Sequence, residues 1–155
     1  MRTFVERRRL DASADLVADL VLDWSRDVEW RAAVTSMQVT PPNRAHPGQR
    51  VLERLRFAGL AFVTPTTVIE ADDRSAAYAG GSGTVAVAGR RTVVPEPDGG
   101  CTVVLEVTVG LRGLLAPLTA ALAPAYRRRL HTEADALRAA CSRPTTAWPP
   151  GAPDG

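Results

Sequence analysis

Residues 101–141 read CTVVLEVTVGLRGLLAPLTAALAPAYRRRLHTEADALRAAC, and the period of their apolar positions changes part-way along. In 101–109 most residues are Val or Thr, which predicts a strand. From Leu114 to Cys141, Leu118, Leu122, Tyr126, Leu130, Leu137 and Cys141 recur mostly four apart, which predicts a helix. At a rise of ~1.5 Å per residue that segment spans roughly 40 Å, enough to cross a whole sheet. Pro117 suits a first turn, whereas Pro124 is internal and predicts a kink or a break.

Working back from this helix, the preceding residues read as consecutive strands with short connections. These are 34–40, 49–57, 61–70, 75–79, 84–94 and 101–109, with PEPDGG (95–100) as the clearest hairpin turn. A further strand, TFVERRRL (3–10), opens the chain, and its run of arginines suits a solvated edge. An amphipathic helix follows over 13–24, with Ser13 as N-cap and Leu16, Val17, Leu20, Val21 and Trp24 as its apolar stripe. RDVEWRAAV (26–34) predicts a second short helix or turn. Pro65 cannot donate to a ladder and predicts an edge or a bulge. The class is therefore α+β: a curved antiparallel sheet of about seven strands around a long C-terminal helix, with two short helices after strand one. Residues 1–141 make a single domain, and the Pro/Gly-rich 142–155 is expected to be a disordered tail.

Composition narrows the function. The chain has 155 residues with 45% hydrophobic and 23% charged side chains, the balance of a globular domain. All 19 basic residues are arginine, yet 17 acids leave a net charge of only +2, which argues against a nucleic-acid partner. No apolar run reaches the ~20 residues of a membrane span, and the N-terminus lacks a signal-peptide pattern, so the expected location is cytoplasmic. Cys101 and Cys141 are expected to be reduced core residues. His46 and His131 lie far apart and give no metal-ligand cluster, so no metal and no cofactor are expected. Gly81-Ser82-Gly83 resembles a loose dinucleotide fingerprint, but a strand rather than a helix follows it, which makes it a turn.

Several stretches resemble the START-like (SRPBCC) superfamily in its polyketide cyclase/dehydrase branch. ERRRLDASADLVADLVLDWSRDVEWRAAVTSMQV (6–39) is similar to that family's opening strand, small-residue cap, helix and Trp before the second strand. PGQRVLERL (47–55), TTVIEADDRSAAYAGG (66–81), VPEPDGGCTVVLEVTV (94–109) and GLRGLLAPLTAALAPAYRRRLHTEADALRAAC (110–141) resemble its later strands and closing helix. The resemblance implies the helix-grip fold, with a hydrophobic cavity under the last helix and a hydrophobic small molecule (polyketide-like, aromatic or lipid) as ligand. It implies either a cyclase/aromatase-like lyase or a non-catalytic carrier or sensor.

The residues offer candidates for both. Glu53 shares the strand parity of Val51, Leu55 and Phe57, and Glu133 lies on the helical stripe between Tyr126, Leu130 and Leu137. A carboxylate facing an apolar cavity has its pKa raised unless it is paired, and a raised carboxyl suits general acid–base work. Glu53 and Glu133 are therefore the candidate catalytic pair, and an ion pair with Arg90, Arg91 or Arg129 is the alternative. Trp30, Val51, Leu55, Phe57, Tyr78, Tyr126 and Leu130 are the candidate ligand-binding residues. The arginines at 7–9 and 127–129 read as solvated surface. Asp15, Asp19 and Asp23 form an acidic stripe that could serve a protein-interaction module, and nothing in the sequence bars a homodimer.

Overall fold

The computed structural model describes residues 1–142. The expected tail, 142–155, lies outside the described residues apart from Ser142. Seven strands run β1 (Arg2–Leu10), β2 (Val34–Thr40), β3 (Arg50–Phe57), β4 (Leu60–Ala71), β5 (Ser75–Gly81), β6 (Val85–Pro95) and β7 (Cys101–Leu111). They form one antiparallel sheet in the order β1-β7-β6-β5-β4-β3-β2. Between β1 and β2 lie helix α1 (Ala14–Val21) and a 3-10 turn, Trp24–Glu29. A 3-10 turn at Gly113–Leu115, a short α2 (Leu118–Ala121) and the long α3 (Ala123–Ser142) close the described chain. This is the helix-grip architecture, a curved sheet wrapped around the C-terminal helix.

The C-terminal helical segment breaks where Pro124 demands it. Pro124 has no N–H to donate, so it is placed in the first turn of α3, where no intrahelical partner is needed, and α2 ends at Ala121. Leu130, Ala134 and Leu137 then turn inward, with Leu137 fully buried. α1 begins at the Ser13 cap, whose Oγ accepts from the Leu16 N–H at 3.4 Å. It is shorter than the apolar stripe suggests. Asp23 starts a new turn by accepting from the Ser25 N–H. Within α1, Leu16 sits at the margin of the apolar stripe and faces solvent, while Val17, Leu20 and Val21 are buried.

Pro65 corrects one expectation. β4 is a central strand, with Pro65 paired opposite Leu52 of β3. It is tolerated because pairing with β5 begins one residue later, at Thr66–Gly80. The irregularity in β4 falls between Val68 and Glu70. Thr64, Thr66 and Val68 keep one parity up to it, so Val51, Glu53, Leu55, Phe62, Thr64, Tyr78, Val87 and Arg91 all reach the inner side of the sheet.

Candidate functional site

Two chambers lie between the sheet and α3. The outer chamber, about 80 Å³, is bounded chiefly by Phe4, Leu55, Phe57, Phe62, Val85, Val87, Val109, Leu111, Leu122 and Tyr126. Its polar side chains are Glu53, Thr64, Thr119 and Arg129. The inner chamber, about 50 Å³, reaches Trp24, Trp30, Arg31, Tyr78, Arg91, Leu130 and Glu133. Glu53, Thr64, Val87 and Tyr126 line both, so the two adjoin.

Local structure explains how each wall is built. Strand parity carries Val51, Glu53, Leu55 and Phe57 to one side of β3. Tyr126 projects from the first turns of α3 against Phe4 (ring centroids 4.9 Å apart) and Phe57 (5.7 Å). Tyr78 stands edge-on to Trp24 at 5.7 Å. It sits opposite Gly89, where a Cβ would lie 2.7 Å from the Tyr78 hydroxyl and 2.4 Å from the Glu106 carbonyl. Gly89 therefore makes the space that the Tyr78 ring occupies. Burial pushes both phenols upward, Tyr126 strongly, so both hydroxyls are neutral donors near neutral pH.

The inner chamber is walled by a run of buried ion pairs. Arg91 Nη1 and Nη2 donate to the two oxygens of Asp27 at 2.7 and 2.6 Å. Arg31 Nη1 donates to Asp27 at 2.7 Å and to Glu53 Oε2 at 2.5 Å. Arg31 Nε donates to Glu133 Oε2 at 3.3 Å, and Arg129 Nε donates to Glu133 Oε1 at 2.8 Å. Three guanidinium groups thus meet three carboxylates, and the cluster is balanced in charge. The aromatic rings add to it: Arg91 lies 4.4 Å from the Trp24 ring centre and 5.3 Å from that of Trp30.

This pairing reverses one expectation. Burial alone would raise the Glu133 carboxyl, but the charges of Arg31 and Arg129 outweigh it and hold the group below the ordinary carboxylate range. Asp27 behaves in the same way: burial pushes up, and Arg91 and Arg31 pull it below its ordinary value. Glu133 is therefore an anion near neutral pH, not a proton donor. Two of the arginines expected at the surface are also drawn in. The Arg129 side chain is 11% exposed beside Glu133, and that of Arg8 is 20% exposed beside Glu6 and Asp135.

All nine residues singled out in the sequence line these chambers: Glu53 and Tyr126 both, Leu55 and Phe57 the outer one, and Trp30, Val51, Tyr78, Leu130 and Glu133 the inner one. Sequence reading missed Asp27 and Arg31. They lie in an aperiodic segment where no strand or helix parity marks them as buried. Arg91 carried a usable signal, because it shares the parity of Val85, Val87 and Val93. The acidic stripe does not stand free: Asp15 pairs with Arg74 and Asp19 with Arg44, while Asp23 caps a turn. Among the described residues no group of three His, Cys, Asp or Glu side chains is arranged to hold a metal ion. Cys101 is buried and Cys141 partly so, and burial raises both thiols.

A family model described as polyketide cyclase / dehydrase and lipid transport matches residues 1–142. The chain belongs to this family. Solved structures repeat the fold. The aromatase/cyclase Zhui from Streptomyces sp. R1128 superposes with a TM-score of 0.76 at 16% identity, over 94% of this chain and 96% of that one. The protein TTHA0849 of Thermus thermophilus gives 0.76 at 18% identity, over 90% of this chain and 97% of its own. The di-domain aromatase/cyclase BexL of the BE-7585A biosynthetic pathway gives 0.69 at 20% identity, over 92% of this chain and 51% of that one. No curated protein matches the sequence. Like its family, the chain has a hydrophobic groove between sheet and closing helix. Among the described residues no helix is long and apolar enough to cross a membrane.

Proposed function

We propose that this family member binds one hydrophobic small molecule with a single polar group. Its apolar body occupies the outer chamber, and its polar group points to the Glu53–Arg31 pair. The observation that carries this reading is the junction of the two chambers. A space bounded by aromatic and aliphatic side chains ends on a carboxylate whose Oε2 is held by Arg31, leaving Oε1 outside the described ion pairs. Tyr126, which lines both chambers, and Tyr78, which lines the inner one, offer neutral hydroxyl donors for a ligand carbonyl.

Size limits the ligand. Pockets for drug-sized molecules are ~300–1,000 Å³, and a cavity of ~150 Å³ suffices for benzene. The adjoining chambers of about 80 and 50 Å³ approach the second figure only when filled together, so they suit a single ring or a short chain that spans their junction. A polycyclic ligand requires α2 to move outward. That four-residue helix buries no side chain, and the Leu111 N–H donating to Thr119 Oγ1 at 2.9 Å helps to tie it to the sheet.

Catalysis of cyclisation or dehydration is the second reading, and the position of Glu53 favours it. Of the two candidate carboxylates, Glu53 touches both chambers and serves as general base. Glu133 serves as the anion that positions Arg31. Titration with phenol and with benzene tests the binding reading. The hydroxylated ligand is expected to bind more tightly, and Glu53→Gln to erase most of that preference. Equal binding of both ligands by the unmodified protein would contradict the proposed polar end.

A further inference from the structure

The register of the sheet brings five chain segments to one end: the start of β1, the β3–β4 turn, the β5–β6 turn, the end of β7 and the segment leading to α2. The outer chamber lies at this end, between Phe57, Phe62, Leu111 and Leu122. Two features there are not used by the cavity. Leu60, Leu114 and Leu118 turn outward, 42, 99 and 39% exposed. Arg2, Arg56 and Arg112 are also exposed at this end, and residues 1–3, 56–62, 80–86 and 109–119 contain no Asp or Glu. Elsewhere the protein interleaves its charges, as in Arg44–Asp19, Arg74–Asp15 and Arg26–Glu29. An acid-free rim of leucines and arginines around the mouth of an apolar chamber is therefore a local departure from the rest of the surface.

We propose that this rim docks on an anionic lipid surface, with Leu60 and Leu114 entering the headgroup layer and the three arginines facing the lipid phosphates. Charge complementarity selects the occupant: a cationic rim with no carboxylate attracts a negative membrane surface, while exposed leucines gain by leaving water. Exchange of ligand between the lipid and the outer chamber through this mouth rests on the cavity reading above. The docking itself does not.

The test is co-sedimentation of the full chain with vesicles of phosphatidylcholine alone, and with vesicles in which about a third of the lipid is phosphatidylglycerol. Binding is expected only to the second kind, and to weaken as salt is raised. Each of Arg2→Gln, Arg56→Gln and Arg112→Gln is expected to weaken it roughly fivefold. Leu114→Glu, at a fully exposed site, is expected to reduce binding further without shifting the thermal midpoint. Failure to sediment with either vesicle, or sedimentation unchanged by Leu60→Glu and Leu114→Glu, would overturn the proposal. So would a concentration-dependent dimer abolished by Leu114→Glu, which would make a second copy of the chain the occupant. Phenol binding measured on the same variants without vesicles keeps a failure of docking distinct from a failure of the cavity reading.

Discussion

Arg91 grips Asp27 through both guanidinium nitrogens at 2.7 and 2.6 Å, with neither side chain more than 6% exposed. The pair joins β6 to the turn after α1, and the Arg91 N–H donated to the Val21 carbonyl at 2.8 Å secures the same junction. Its geometry gives Arg31 a fixed anchor, and Arg31 in turn holds the two glutamates of the cavity. Removing one partner leaves an uncompensated charge inside the protein, at a cost of about 3–5 kcal/mol. Asp27→Asn is therefore expected to lower the urea midpoint sharply. A variant that unfolds at the wild-type midpoint would show that the pair is not structural.

The same ion pairs set the response to acid. Asp27 and Glu133 both have folded-state values below their ordinary 3.8 and 4.5. The unfolded state therefore takes up protons first, and stability falls as the pH drops through and below that range. Above it the contribution is complete. Glu133→Gln is expected to flatten the acid limb of the stability–pH curve while lowering the plateau. The check is urea unfolding at a series of pH values, and an unchanged acid limb would contradict the assignment.

Gly89→Ala tests the packing of Tyr78. An added Cβ would meet the Glu106 carbonyl at 2.4 Å and the Tyr78 hydroxyl at 2.7 Å. The first contact is with backbone and cannot be relieved by a rotamer change. A loss of about 1–3 kcal/mol is expected, as for overpacked cores. Displacement of the Tyr78 ring should also disturb the Trp24 signal in near-ultraviolet circular dichroism.

Leu137→Ala tests how α3 is held. Leu137 is fully buried beneath the helix, and its truncation is expected to cost about 2–5 kcal/mol. Leu16→Ala, on the exposed face of α1, is expected to cost under ~0.5 kcal/mol. Equal effects of the two substitutions would contradict the description of the core.

Where a regular period governs the chain, the sequence was legible. Glu53 stood on the apolar parity of Val51, Leu55 and Phe57, and the structure places it inside with them. Glu133 fell on the stripe of Leu130 and Leu137, and it too is buried. Period says which way a side chain points, not what it meets. The partner of both glutamates is Arg31, which lies in the irregular stretch between the 3-10 turn and β2, so the raised carboxyl expected at Glu133 gave way to a lowered one. Leu16 lies at the margin of the α1 stripe, so it is exposed while Val17, Leu20, Val21 and Trp24 are buried. Pro65 marked β4 as irregular, but the register shift fell beyond it, between Val68 and Glu70, and a central strand accommodated the residue.

The most direct measurement is methyl-detected NMR of the chain labelled at its Leu and Val methyl groups during titration with phenol. Saturable shifts are expected at Leu55, Leu122, Val87 and Leu130, which line the two chambers, with the exposed Leu16 of α1 unmoved. Shifts confined to exposed methyl groups, or none at any concentration, would contradict a ligand-binding cavity between the sheet and α3.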